Sequence, residues 1–380
     1  MNKIYFDNAA TTKVDDRVVK VMNKYHTEKY GNASSVHLMG QEAKRAMEHA
    51  RYVIAKSIGA KDNEIYFTSG GTEANNWAIK GAVWKTGKKH VITSKIDHDC
   101  VLNACKWLGE QGVKVTFLDV DEEGFVDLKQ LKKEITEDTA IVSVIHGNNE
   151  VGTIQDLNAI GEICKEKGVY FHTDACQSYT KTDINVRKTP IDMITLNAHK
   201  IHGPKGVGAL YIRFGVDIDV LMHGGGHERK MRSGTENIPG IMGFAESVKL
   251  AKWKYVDYII KLRDRLIEGI ENNIENVKLN GPRGNKRLAN NINFSFNNIE
   301  GEAIGGMLDA YGIASSTGSA CSSHSLESSH VLKAMGLNDL EANSSIRLSL
   351  GRENTEEEVD KVIEVLVKVV EKLRKISPFK

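Results

Sequence analysis

The sequence predicts an α/β fold: a mainly parallel seven-stranded sheet with helices on both faces, plus a smaller α+β domain. Three observations lead there. As far as Ile212, short apolar runs alternate with stretches of helical periodicity, the pattern of βαβ units around a parallel sheet. Near Ile241 that alternation stops and a long helical stretch begins. Finally, 380 residues exceed one minimal core and fit a large domain with a smaller companion.

The elements follow in order. Ala43, Met47, Ala50, Ile54 and Ile58 recur at helical spacing, and Gly59 follows as a C-cap. EIYFT (64–68) reads as a strand, and Thr72 to about Lys85 as a helix. KHVITSK (89–95) is a strand, followed by a helix from about Asp99. VKVTFL (113–118), AIVSVI (140–145), VYFHT (169–173), DMITL (192–196) and GALYI (208–212) supply the remaining strands. From about Ile241 to Ile274 the residues read as one helical stretch able to link two domains. Short strands NINFSF (291–296) and SIRLSL (345–350), with helices over 302–310 and about 355–375, form the α+β part.

Composition narrows the function. Apolar residues are 41% and charged residues 27%, ordinary for a globular protein, and a net charge of +1 gives no overall field for nucleic acid or membrane. No apolar run approaches the roughly 20 residues that span a bilayer. MNKIYFDNAATT has no signal-peptide core, so a cytoplasmic location is expected. The five cysteines form no CxxC pair, and the 13 histidines show no zinc-ligand spacing, so no metal is expected.

Four stretches each follow a strand, at the carboxyl edge where open α/β sheets bind ligands. TSGGTEANN (68–76) opens a helix with small residues, a pattern that cups an anion, although a plain strand-turn-helix junction fits as well. HTDACQS (172–178) ends a strand on Asp174, a carboxylate that needs a cationic partner or serves as a helix N-cap. NAHKIHGPKGVGALYI (197–212) sets Lys200 beside His199 and His202, a setting that lowers an amine's pKa and makes it a nucleophile toward carbonyls. SKIDHDCVLN (94–103) puts His98 at a strand-to-helix turn, available for stacking or proton transfer. An anion cup, a carboxylate, a reactive lysine and a histidine together suit pyridoxal 5'-phosphate. One feature lies apart: STGSACSS (316–323) places Cys321 in a polar loop, where a structural cysteine is out of place.

Over almost its whole length the chain resembles the pyridoxal-phosphate cysteine desulfurases of the nitrogenase and iron–sulfur-cluster type. These belong to the class V aminotransferase group of fold type I. The matching segments stand in order: YFDNAATT (5–12), YGNASSVH (30–37), FTSGGTEANN (67–76), DHDCVL (97–102), HGNNEVGTIQ (146–155), HTDACQS (172–178), AHKIHGPKGVGAL (198–210), GGGHERKMRSGTEN (224–237), GSACSS (318–323) and SIRLSLGREN (345–354). The resemblance implies a large cofactor-binding domain over 13–255. It implies a small domain over 1–12 and 256–380 carrying the Cys321 loop.

The resemblance also assigns roles. Lys200 would hold the cofactor aldehyde, Asp174 would pair with the pyridine nitrogen, and Gln177 and Asn149 would contact the ring-hydroxyl region. His98 would stack on the ring and move protons. Gly71, Thr72, Asn197 and His199 would hold the phosphate, joined by Thr235 from a second subunit of a homodimer. Arg347, flanked by Asn32, would bind the substrate carboxylate, and Cys321 would take sulfur from L-cysteine and leave L-alanine. The persulfide would pass to a sulfur acceptor or scaffold protein in cluster assembly, tRNA thiolation or DNA phosphorothioation, with no membrane and no direct nucleic-acid contact. Asn197 departs from the serine usual in this family, and Cys100 and Cys176 replace alanines. Those two thiols either pack as small residues or accept sulfur from Cys321, which requires a lowered thiol pKa. Selenocysteine lyase, another class V aminotransferase and a non-catalytic acceptor scaffold are the rival readings.

Overall fold

The computed structural model describes residues 3–317 and 328–378. Cys321 falls outside the described residues. In chain order come β1 (Ile4–Tyr5), α1 (Asp16–Thr27), α2 (Leu38–Ser57), β2 (Ile65–Thr68), α3 (Gly71–Thr86), β3 (His90–Ser94), α4 (Asp99–Glu110) and β4 (Lys114–Leu118). Then follow α5 (Leu128–Glu134), β5 (Thr139–Ile145), α6 (Leu157–Lys167), β6 (Tyr170–Asp174), β7 (Met193–Asn197), β8 (Gly208–Ile212), α7 (Ile238–Leu250) and α8 (Trp253–Asn273). The rest is β9 (Val277–Leu279), β10 (Asn291–Phe296), α9 (Gly301–Ala310), β11 (Ile313–Ala314), α10 (His330–Ala334), α11 (Asp339–Asn343), β12 (Ser345–Ser349) and α12 (Glu356–Ile376).

Seven strands form one sheet in the order β2-β8-β7-β6-β5-β3-β4. The pairings from β7 through β6, β5 and β3 to β4 are parallel, and β8 runs antiparallel to both β7 and β2. The central strand β5, TAIVSVI, is buried throughout, as a parallel strand covered on both faces must be. On one face Ala43, Ala50, Ile54 and Phe244 of α2 and α7 pack on Val142, Phe171 and Ile194. On the other, Trp77 and Ala78 of α3 and Val101 and Leu108 of α4 cover Val91, Ile141 and Met193.

A second core gathers Leu262, Leu266 and Ile270 of α8, Val362, Leu366 and Val370 of α12, the sheet residues Phe294, Ile346 and Leu348, and Phe6 from the N-terminal segment. The sheet beneath it is antiparallel, ordered β12-β10-β9. Here the structure departs from the sequence reading. Instead of one helical stretch from 241 to 274 there are two helices, because Ala251 (φ −69°, ψ 123°) and Lys252 (φ −133°, ψ 140°) are extended. The break follows from packing: the apolar face of α7 belongs to the first core and that of α8 to the second. A straight helix cannot aim one stripe at two cores.

Among the described residues, no helix is long and apolar enough to cross a membrane, and no group of His, Cys, Asp and Glu is arranged to hold a metal ion.

Candidate functional site

The carboxyl ends of β2, β6 and β7 and the turn after β3 converge on one region. Each delivers a side chain there because a strand ends where its apolar run ends and a polar turn begins.

β6 ends on Asp174, which is 4% exposed. Its carboxylate accepts from Asn75 Nδ2 of α3 at 2.6 Å and from the Cys176 backbone N–H at 2.9 Å. These neutral donors fix the carboxylate's direction without discharging it.

β2 leads through Ser69 and Gly70 into α3. Gly70 has φ 154°, in the range that favours glycine, and α3 has no side-chain cap there. The first N–H groups of a 16-residue helix are thus left for an outside acceptor. Gly71 must stay bare: a Cβ on it would lie 2.8 Å from Cys176 Sγ and 3.8 Å from Asn197 Nδ2. Asn197 is 3% exposed, and its Oδ1 has no hydrogen-bond partner. Bare helix N–H groups, a missing Cβ and a buried amide make a cradle for an anion.

After β7 the chain turns through His199 and Lys200. Lys200 Nζ donates to the carbonyls of Ala9 and, at 2.7 Å, Ala10, while Gln177 Nε2 donates to the same Ala9 carbonyl at 2.8 Å. His199 Nδ1 lies 3.2 Å from Thr11 Oγ1. Burial, then the charges of Lys200, Lys205 and Lys181, pushes the His199 imidazole down to about 4, so it is neutral near pH 7. A second amine, Lys181 Nζ, donates to the carbonyls of Gln177 (2.7 Å) and Lys200 (3.3 Å). Burial and the Lys200 charge push it down to about 7. Nothing in the sequence distinguished Lys181 from a surface lysine.

His98 is the N-cap of α4. Its Nδ1 accepts from the Cys100 N–H at 3.2 Å and lies 3.1 Å from Cys100 Sγ. Burial lowers its pKa, so the neutral ring carries its proton on the other nitrogen, Nε2. Asn75 Nδ2 also reaches Cys100 Sγ at 3.1 Å.

Both extra thiols therefore border the site. Burial pushes the Cys100 thiol up to about 12 and Cys176 well above its ordinary value, with the Asp174 charge adding to both. A sulfur relay through them requires a lowered thiol pKa, and the shifts here run the other way.

Arg347 lies in β12 and is 3% exposed. Its Nη2 contacts Asp7 Oδ1 at 3.0 Å, its Nη1 donates to the Asn149 carbonyl at 3.2 Å, and its Nε is buried without a partner. Asp7 as its partner was not anticipated from the sequence; the two lie 340 residues apart. Asn149 enters through its backbone carbonyl. Asn32, expected to flank Arg347, is exposed, and its Oδ1 accepts from Ser34 N at 2.8 Å in its own turn. Thr72 and Thr235 are exposed.

The model of the family "Aminotransferase class-V" matches residues 4–362. "Cysteine desulfurase IscS" of Clostridium botulinum (strain Hall) is 49% identical over 385 residues, covering 100% of this chain and 97% of the relative. A solved structure titled "NIFS-LIKE PROTEIN" superposes with a TM-score of 0.92 at 41% identity, covering 98% of this chain and 100% of the other. One titled "SspA in complex with cysteine" gives a TM-score of 0.84 at 36% identity, with 93% and 100% covered. A matching model along nearly the whole chain and a full-length relative at this identity lead to one conclusion: the chain belongs to the class V aminotransferase family and, within it, to the cysteine desulfurases.

Proposed function

We propose that the site uses pyridoxal 5'-phosphate to remove sulfur from L-cysteine, leaving L-alanine and a persulfide on Cys321. The observation that carries this is the convergence of Lys200, Asp174, His98 and the open N-terminus of α3 at one sheet edge. The residues present fit that cofactor. The cradle around Gly71, with the helix N–H groups and the Asn197 Nδ2 donor beside it, suits a phosphate, whose oxygens accept. Asp174, steered by Asn75 and Cys176, is the acceptor for a protonated pyridine nitrogen. When bound, the cofactor supplies an aldehyde for an amine and an electron sink for the bonds broken at the substrate's Cα and Cβ.

The chain's own residues do the rest. Lys200 is the residue that would hold the cofactor aldehyde, and its amine, once free, would take the substrate's Cα proton. Ala9 and Ala10 carbonyls pin that amine meanwhile. Neutral His98 presents Nε2–H, and neutral His199, held at Thr11, would add no charge to the site. Arg347 takes the substrate carboxylate, with Asp7 holding the guanidinium in place beforehand. The Cys321 thiolate attacks the substrate sulfur: an S–S bond forms, the C–S bond breaks, and its electron pair stays with the carbon fragment, which takes up a proton and leaves as alanine. Thr235, exposed on its own subunit, completes the phosphate site of a partner in a homodimer. The persulfide goes on to a sulfur-acceptor protein.

The test is a purified preparation, run as a dimer by light scattering, with a visible lysine-linked absorption band. Borohydride reduction and peptide mapping should place the label on Lys200, and, with dithiothreitol present to reduce the Cys321 persulfide, L-cysteine should yield alanine and sulfide in equal amounts. A label on another lysine would overturn the assignment.

A further inference from the structure

The segment 222–237, between β8 and α7, bears on the anion cradle through Arg232. Its turn is strained: Glu228, Arg229 and Lys230 have φ of 43°, 58° and 68°, left-handed values that cost non-glycine residues energy. A buried network holds it. Arg51 Nη1 and Nη2 each reach a Glu228 carboxylate oxygen at 2.7 Å, Glu228 Oε2 accepts from Phe67 N at 2.8 Å, and Arg229 Nη2 donates to Ile65 O at 2.7 Å. The turn is thereby fixed on β2, the strand that feeds the cradle.

Two residues further on, Arg232 Nε and Nη2 grip Glu73 of α3 at 2.7 and 2.9 Å. Glu73 lies in the first turn of α3, two residues after Gly71, and its Oε2 also accepts from Ser69 N at 2.8 Å. Both side chains are largely shielded, at 17% and 10% exposed. Glu73 is thus an ionised carboxylate in the same positive helix field that a bound phosphate would occupy. A bare carboxylate there repels a second anion, and the protein environment screens that repulsion weakly. The bidentate guanidinium cancels it and keeps the carboxylate turned toward Ser69.

We propose that Arg232 is a positioning residue for the cofactor phosphate: it neutralises Glu73 at the mouth of the cradle, and the strained turn locked by Arg51 and Glu228 sets its place. This rests on the cofactor reading above. Its distinctive signature is charge. Losing Arg232 harms phosphate binding, and losing Glu73 as well restores it.

The experiment titrates apo-protein by fluorescence with pyridoxal 5'-phosphate and with pyridoxal, which lacks the phosphate. Arg232→Gln should weaken pyridoxal phosphate on the order of tenfold or more, and leave pyridoxal within about twofold of wild type. Glu73→Gln/Arg232→Gln should return the phosphate ester to within about threefold of wild type, and Arg232→Lys should do the same by keeping the charge. Equal weakening of both ligands, or a double variant no better than Arg232→Gln, would overturn the proposal and leave the pair a fold contact. Should Arg232→Gln fail to fold, the double and lysine variants carry the same test against wild type. Wild-type protein that binds no pyridoxal phosphate would overturn the cofactor reading, and this inference with it.

Discussion

The two sides of the site are built differently. On the side proposed to hold the cofactor, Asp174 and Asn197 end strands of one sheet and α3 starts beside them. Asp174 is held by two short hydrogen bonds, at 2.6 and 2.9 Å. On the side proposed to take substrate, Arg347 comes from the smaller antiparallel sheet and meets Asp7 of the N-terminal segment and the Asn149 carbonyl, with its Nε unpaired. The first side is a preformed socket. The second is a junction of three chain segments whose guanidinium keeps donor capacity in reserve. Damage to the socket should therefore appear as lost cofactor chemistry, and damage to the junction as lost substrate affinity.

The sharpest break on the cofactor side is Lys200→Ala. We expect turnover to fall by at least about a thousandfold, with loss of the lysine-linked absorption, because no other amine is positioned to hold the aldehyde and take the proton. Lys181 is the nearest rival, but its amine is committed to the Gln177 and Lys200 carbonyls. Near-native turnover by Lys200→Ala would remove the assignment. On the substrate side, Arg347→Gln should raise KM for L-cysteine on the order of a hundredfold, the worth of a charge-assisted bidentate contact. The cofactor absorption should not change. If Arg347→Gln instead loses the cofactor while KM holds, the division between the two sides is wrong.

The same contrast explains what the sequence could and could not reveal. Cofactor-side residues sit within a few positions of a strand's end, so periodicity located the strands and the next polar residue located the side chain, as with Asp174 after VYFHT and His98 after KHVITSK. The antiparallel course of β8 was not legible, since GALYI carries an apolar run that fits either direction. Nor was the kink between α7 and α8, which arises because two separate cores claim one amphipathic stretch. The Asp7–Arg347 pair and the Ala9 and Ala10 carbonyls on Lys200 depend on contacts between distant segments, which no local pattern encodes. For Arg232 and Glu73, the motif segments gave the residues but not their contact.

Building the socket has a stability cost that can be read by pH. Asp97, next to His98, is fully buried and accepts from Ser94 N at 3.0 Å and Ser94 Oγ at 2.5 Å. Burial, aided by the Asp174 charge, pushes its carboxyl up to about 7, against an ordinary 3.8. A raised acid favours the folded state when protonated, so its contribution is present at low pH and is lost as pH rises through about 7. Apo-protein carrying Asp97→Asn should therefore gain on wild type in unfolding free energy between pH 5 and pH 8, by on the order of 2–4 kcal/mol. A gap that closes over this range would refute the sign.

The smallest expected effect tests whether the thiols beside the cofactor belong to the chemistry at all. Cys100 Sγ sits 3.1 Å from both His98 Nδ1 and Asn75 Nδ2, and Cys176 Sγ fills the space against Gly71. Their positions invite a relay role, since each borders a residue proposed to act on cofactor or substrate. The electrostatics oppose it. Burial and the Asp174 charge hold both thiols protonated far above neutral pH, and a thiol that stays protonated neither attacks a persulfide nor carries sulfur onward. His98 does not help, because burial lowers its pKa, and the Lys200 charge that pulls Cys176 down is outweighed by burial and the Asp174 charge. Cys100→Ala and Cys176→Ala should thus keep turnover within about twofold of wild type. Each removes one sulfur, half-buried at Cys100 and buried at Cys176, a loss that packing tolerates at about 1 kcal/mol. After turnover of L-cysteine and alkylation, mass spectrometry should find the extra sulfur on Cys321 and on neither neighbour. Persulfide on Cys100 or Cys176, together with a tenfold slower alanine variant, would mean that the bound cofactor reverses the local electrostatics and that the socket handles sulfur as well as electrons.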